Sequence, residues 1–266
     1  MSVIKLSSPE TKDYWEIPVL FEDDALLAID KPSGLLVSPD RYDPRRPNIM
    51  KLFHRDIARG AKWVQERGLT YLANAHRLDF ETSGVLLLTK TKPALINVAN
   101  QFGAEQTRKT YLAIVEGTPE KDTFDDNAKL GPHPTRLGYV RIDEKHGKKS
   151  YTAFEVAEKF SGYTLMRCKP RTGRTHQIRV HLLHRHLPIC GDTLYDGHPL
   201  LLSSLKKNFR LKPGHTENPL LRRVALHAHE LIVAHPTTGA DAVIQSPLPH
   251  DMEVALKFLR RHAAAV

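Results

Sequence analysis

Cysteine is almost absent from this chain. Only Cys168 and Cys190 occur in 266 residues, too few for a disulfide framework and wrongly spaced for a four-ligand zinc site. Both read as reduced, buried thiols. Long apolar runs are missing too: none approaches the roughly 20 residues that a membrane-spanning helix needs. The opening stretch, MSVIKLSSPETKDYWEIPVL, lacks the basic start, apolar segment and small-residue cleavage site of a secretory signal. A cytoplasmic location without membrane contact is therefore expected. No repeat occurs at a solenoid period. What remains is 41% hydrophobic and 26% charged residues, a balance that excludes a disordered chain and allows a sizeable core.

Acidic residues are scarce in one region. Lys and Arg number 39 against 30 Asp and Glu, a net charge of +9. Ser161 to Cys190 holds six cations (Arg167, Lys169, Arg171, Arg174, Arg179, Arg185) and four histidines, with no acid at all. A second cluster, Lys206, Lys207, Arg210 and Lys212, follows in LLSSLKKNFRLK. A single basic run is usually a solvated face. Two of them, one without counter-charge, point to a polyanion, and nucleic acid is the expected partner.

Periodicity supplies the elements. VLFEDDALLAIDKPSG reads as two strands and a turn at Lys31-Pro32-Ser33-Gly34. Ile49, Leu52, Phe53 and Ile57 share a helical face, as do Leu95, Val98, Ala99 and Phe102, with Pro93 in the first turn. GVLLLTKT is a buried strand, and TYLAIVEG is strand-like. SYTAFEVAEKF and GYTLMRCKP pair about a Ser161-Gly162 turn. THQIRVHLLHRHL is a short helix with Val180, Leu183 and Leu187 on one face, Ile178 and Leu182 nearby, and many cationic or titratable groups. LHAHELIVAH and AVIQSP are strands, and a last helix carries Met252, Leu256 and Leu259 on one side. Strands and helices are interspersed without regular βα alternation. The expected fold is α+β, one domain over residues 1–266 on a mainly antiparallel sheet with flanking helices. A loop-rich basic insertion interrupts it at about 196–218.

The densest chemical clue is AHRLDFETSGVLLLTK, residues 75–90. Asp79 lies two residues from Arg77 in a turn-rich loop that leads into a buried strand, the kind of place where reactive groups are held. Read alone, the segment is equally an edge turn with a surface Arg–Asp pair worth little. Ser83 lacks a G-x-S-x-G elbow. The spacing of His176, His181, His184 and His186 matches no zinc pattern, so no metal site is expected.

HRLDFETSG resembles the catalytic motif of RluA-type RNA pseudouridine synthases. Four further segments resemble that family in the same order: AIDKPSGLLVSP, RKTYLAIVEG, PRTGRTHQIRVHLLHRHLPICGD, and LHAHELIVAHPTTG followed by SPLP. The resemblance implies the mixed, mainly antiparallel sheet of these enzymes and a cofactor-independent isomerase acting on a structured ribosomal or transfer RNA. It makes Asp79 the catalytic aspartate, Tyr111 the tyrosine against the flipped base, and Arg179 the cation that pairs with Asp79. Arg77 would fill the space left by the flipped uridine. His76, Arg174, His176 and Gln177, from the same motifs, would bind substrate. Two rival functions share these residues: a non-catalytic RNA-binding module on the same fold, and a nucleosidase that releases uracil. One departure concerns Gly191-Asp192-Thr193-Leu194-Tyr195, where Asp196 precedes Gly197 although the family often has Gly directly after Tyr. From the short stretch before KPSG, the N-terminal accessory RNA-binding domain of some relatives is expected to be missing. RNA binding is then expected from a monomeric catalytic domain itself.

Overall fold

Apolar side chains at every second position build strands here, and those three or four apart build helices. The computed structural model describes residues 2–40, 43–212 and 214–264. The first stretch forms β1 (Val3–Ser7), β2 (Tyr14–Glu22), β3 (Leu26–Lys31), α1 (Ile49–Ala58), α2 (Lys62–Gln65), β4 (Ala73–Asn74), β5 (Ser83–Thr89) and α3 (Lys92–Gly103). Next come β6 (Arg108–Glu116), β7 (Thr123–Asp126), β8 (Leu130–Pro132), β9 (Val140–Ile142), β10 (Thr152–Phe160), β11 (Tyr163–Pro170), α4 (Gln177–His184) and α5 (Leu202–Leu205). The chain closes with β12 (Leu226–Ala234), β13 (Asp241–Gln245) and α6 (His250–His262). Two compact units result: Met1–Lys109 with Ala228–Pro247, and Thr110–His227 with Leu248–Val266. Among the described residues no helix is long and apolar enough to cross a membrane.

In the first unit β1, β2, β3 and β5 pair antiparallel in that order. β4 adds two rungs to β5, β13 pairs with β12, and β12 neighbours β5. Every residue of β5 is buried, because both its edges are paired and Val85 and Leu87 pack against Ala94 and Val98 of α3. Gly84 opens the strand at φ 110°, and a Cβ there would overlap the Ala228 backbone of β12. Only glycine permits that approach. Helix α3 starts at Thr91, whose hydroxyl accepts the Ala94 N–H at 3.2 Å.

The buried face of α3 matches expectation at Val98 and Phe102 and departs from it at Ala99. Ala94, Val98 and Gln101 point inward, while Ala99 is exposed. The cause is Gln101: its Nε2 donates to the Ala234 carbonyl at 2.7 Å and its Oε1 accepts the Ala234 N–H at 2.8 Å. Its amide thus substitutes for a strand neighbour and turns the helix. In α1 the buried polar residue is Asp56, which accepts the Trp63 indole N–H at 2.8 Å. The hairpin of β1 and β2 carried no sequence expectation.

In the second unit β6, β11, β10 and β7 pair antiparallel in that order, and β8 and β9 form a separate hairpin. Met252, Ala255, Leu256 and Leu259 of α6 join the core, with Cys168 and Cys190 free and buried in it. Helix α4 is not the one-faced helix expected. All six positions from Gln177 to Leu182 are buried. Its cations find acids that lie far off in sequence: Arg179 pairs with Asp192, and His184 and Arg185 pair with Asp126 of β7 at 2.7 and 2.8 Å. Glu155 of β10 takes Arg167 and Lys169 of β11 at 3.3 and 2.7 Å. Folding thus brings three acids, Glu155, Asp126 and Asp192, to a stretch whose six cations look uncompensated in sequence.

Candidate active site

In the first unit the loop between β4 and β5 carries His76, Arg77 and Asp79. β4 pairs Ala73 with Thr89 and Asn74 with Leu88. Beyond that point a side chain continues the ladder: the Leu87 N–H donates to His76 Nε2 at 2.9 Å. The His76 ring stacks on Phe102 with centroids 4.8 Å apart and planes 14° from parallel. An accepting Nε2 leaves the proton on Nδ1. Burial first, then the charge of Lys109, push the imidazole down to about 3, so it stays neutral. Burial also pushes Lys109 down to about 8 against the opposing pull of Glu105. Asn74 Nδ2 donates to the His76 carbonyl at 3.0 Å and holds the loop's other side.

Arg77 is exposed, and among the described residues it has neither hydrogen bond nor ion pair. Leu78 is buried as an anchor, and Asp79 is half-buried in a turn whose Asp79 carbonyl accepts the Thr82 N–H at 3.2 Å. The KPSG segment grips that turn from behind. The Gly34 N–H donates to the Phe80 carbonyl at 2.9 Å, and Ser33 Oγ donates to the Glu81 carbonyl at 2.7 Å. Lys31, wholly buried, donates its ammonium to the carbonyls of Pro32 at 2.7 Å and Phe80 at 3.3 Å. A buried ammonium requires such partners. The guanidinium of Arg46 covers the Phe80 ring at 4.4 Å while pairing with Asp40 at 2.7 Å. Lys31 and Ser33 were not expected to act on Asp79's loop. Their signal lay in the KPSG motif itself.

In the second unit Arg174, His176, Gln177 and Arg179 share one loop and the start of α4. Gln177 is buried with all four hydrogen-bonding positions engaged. Its Oε1 accepts from Thr172 Oγ1 at 2.6 Å and the Arg174 N–H at 3.0 Å; its Nε2 donates to the Tyr151 carbonyl at 3.0 Å and Thr152 Oγ1 at 2.9 Å. Such a residue shapes the loop. Arg174 is exposed, with Nε donating to the Lys149 carbonyl at 3.0 Å. His176 adopts a left-handed φ of 54°, and its Nδ1 lies 2.7 Å from the Tyr195 hydroxyl. That hydroxyl accepts the Val140 N–H at 3.0 Å.

Arg179 is held by a bidentate pair, Nε to Asp192 Oδ2 at 2.6 Å and Nη2 to Asp192 Oδ1 at 2.7 Å. Its guanidinium lies 4.9 Å from the centroid of the Tyr195 ring. Asp192 and Tyr195, from the GDTLY segment, are partners that sequence reading missed. Tyr111 is half-buried in β6 opposite Cys168 of β11. His181 is fully buried between Thr152, Ser150 and the Ala128 carbonyl. Burial, offset in part by Ala128 and Asp126, lowers its pKa. Among the described residues no three His, Cys, Asp or Glu side chains gather as metal ligands would.

The profile of the RNA pseudouridylate synthase family matches residues 25–184. A ribosomal large subunit pseudouridine synthase D from Nitrosomonas europaea is 37% identical over 250 residues, 92% of this chain and 65% of that protein. One of the same name from Xanthomonas campestris pv. campestris is 34% identical, over 92% of this chain and 70% of that protein. The chain thus spans about two thirds of the length of such relatives. Among solved structures, human RNA pseudouridylate synthase domain containing 4 superposes with a TM-score of 0.66 at 24% identity, covering 91% of this chain and 92% of that one. That likeness shows the shared α+β fold. By its profile and its relatives, this chain belongs to the RNA pseudouridylate synthase family.

Proposed function

We propose that the protein isomerises uridines of a structured RNA, ribosomal or transfer, to pseudouridine, with Asp79 as the catalytic residue. The observation that carries the reading is the clamped turn: a half-buried carboxylate two residues after an exposed Arg77 that has no partner among the described residues, with the turn's carbonyls gripped by the KPSG segment. In the reaction the bond from ribose C1′ to N1 breaks and one from C1′ to C5 forms. The proton on C5 leaves and N1 gains one, so the exchange balances without oxidant or water.

A stacked uridine cannot rotate in this way, so it must be flipped out at a cost of a few kcal/mol. An unpartnered guanidinium at Arg77 suits the vacated space and the neighbouring phosphates. Tyr111 is proposed to lie against the detached base and Arg179 to pair with Asp79, both on the motif resemblance. The bidentate Asp192 would then fix the plane in which Arg179 presents its charge. Arg174 and His176 are proposed at the RNA. His76 and Gln177, with ring and amide engaged by their own unit, are proposed to hold the two loops. The protein is taken to act as a cytoplasmic monomer.

The test is tritium release. RNA labelled at C5 of uridine, incubated with the purified protein, should lose tritium to water as the new bond forms. Release of free uracil instead would establish the nucleosidase. Tight binding of every RNA fraction with no release would leave the RNA-binding module.

A further inference from the structure

The two basic clusters behave differently once folded. Most cations of the first have acidic partners, as described. Lys206, Lys207, Arg210 and Lys212 of the second are exposed and make no ion pair or side-chain hydrogen bond among the described residues. The loop that displays them is firmly rooted. It leaves the core at Leu200 and returns at Leu221, which face each other in a β-bridge, and the Leu220 N–H donates to the Leu200 carbonyl at 2.8 Å. Leu200, Leu205 and Leu221 are buried in the second unit's core. Surface excursions rooted in this way often carry function.

Its outer part encloses an open groove of about 370 Å³, lined by Phe209, Arg210, Leu211, Lys212 and His215 among others. Leu211 is 42% exposed and Phe209 half-exposed, so apolar surface lies between the cations. The one acid of this groove, Glu217, is engaged by the Ser203 N–H at 2.8 Å. Cations in alternation with an accessible aromatic ring are the recognition chemistry of single-stranded nucleic acid: charges follow phosphates, and rings stack on bases of any sequence.

We propose that this loop is an RNA-docking surface that takes a single-stranded stretch of the substrate RNA. The proposal rests on the reading of the protein as an RNA-modifying enzyme. The loop adds an affinity that the catalytic motifs do not supply.

The experiment titrates a fluorescent twelve-nucleotide oligouridylate and a twelve-base-pair RNA duplex against the full chain over a series of salt concentrations. Three proteins are compared: wild type, the quadruple variant K206A/K207A/R210A/K212A, and Phe209→Ala. The quadruple variant should bind the single strand more weakly by about a hundredfold or more at 0.1 M salt. Its slope of log affinity against log salt should be shallower by about 2 to 3, since each phosphate on a single strand contributes about 0.7. Phe209→Ala should weaken the single strand about fivefold and leave the duplex unchanged. Replacement of the three lysines by arginine should restore the slope, which separates charge from folding. An unchanged slope in the quadruple variant overturns the docking surface; equal losses on strand and duplex overturn its single-stranded specificity. Tritium release by the same wild-type preparation reports catalysis separately. Release with an unaltered slope sinks the surface alone, and the expected slope without release sinks the isomerase alone.

Discussion

At the scale of single residues, the site depends on groups kept out of solution chemistry. His76 must stay neutral for Nε2 to accept the Leu87 N–H. Its pKa of about 3 in the folded chain lies below the ordinary value of 6.5. Between those pH values the unfolded chain binds a proton that the folded one refuses, so stability falls as pH drops through that window and is constant above it. At pH 5 the loss from this residue is about 2 kcal/mol. The His76 ring protons should therefore hold one NMR chemical shift from pH 8 down to pH 5; a midpoint near 6.5 would contradict the assigned contact. Arg179 and Asp192 form the second such group. Removing one member leaves the other charged and buried, at a cost of about 3–5 kcal/mol. Asp192→Ala should thus lower the urea midpoint far more than Asp196→Ala, whose side chain is exposed. Equal midpoints would deny the pair its structural weight. Asp79 and Arg77 are proposed from the HRLD motif; the Asp192 partner of Arg179 was not legible, because thirteen positions separate the two and only the fold closes them.

At the scale of elements, strands were read more faithfully than helix faces. β5 was plain as an unbroken apolar run, and β10 and β11 as alternating segments about a Ser-Gly turn, since a two-residue period leaves little choice of face. The inward face of α3 was read correctly at Val98 and Phe102 but without Gln101, a polar residue that binds the Ala234 backbone like a strand. No hydrophobic pattern can announce that bond. Gln101→Leu keeps the volume and removes both contacts, so unfolding in urea should show a loss of about 2 kcal/mol. A neutral or stabilising result would mean that packing alone orients α3. Helix α4 was misread for a related reason: Arg179 and His181 point inward because Asp192, Thr152 and Ser150 wait there.

At the scale of the whole molecule, the basic excess is a sum of unlike parts. Much of the cationic stretch from Arg167 to Arg185 is spent on internal pairs with Glu155, Asp126 and Asp192. Arg77 and the Lys206–Lys212 group are among the side chains that have no acidic partner among the described residues. The composition showed the excess but not this division, which depends on which acids each strand brings alongside. Under the proposed function this division would separate binding from chemistry, with phosphate contacts giving affinity and Asp79 giving turnover. The most direct measurement compares wild type with Asp79→Asn on the same C5-tritiated RNA, following both tritium release and RNA affinity. The expected result is release by wild type, none by Asp79→Asn, and affinities within a few-fold of each other. Release by the Asp79→Asn protein near the wild-type rate would contradict the assignment of Asp79.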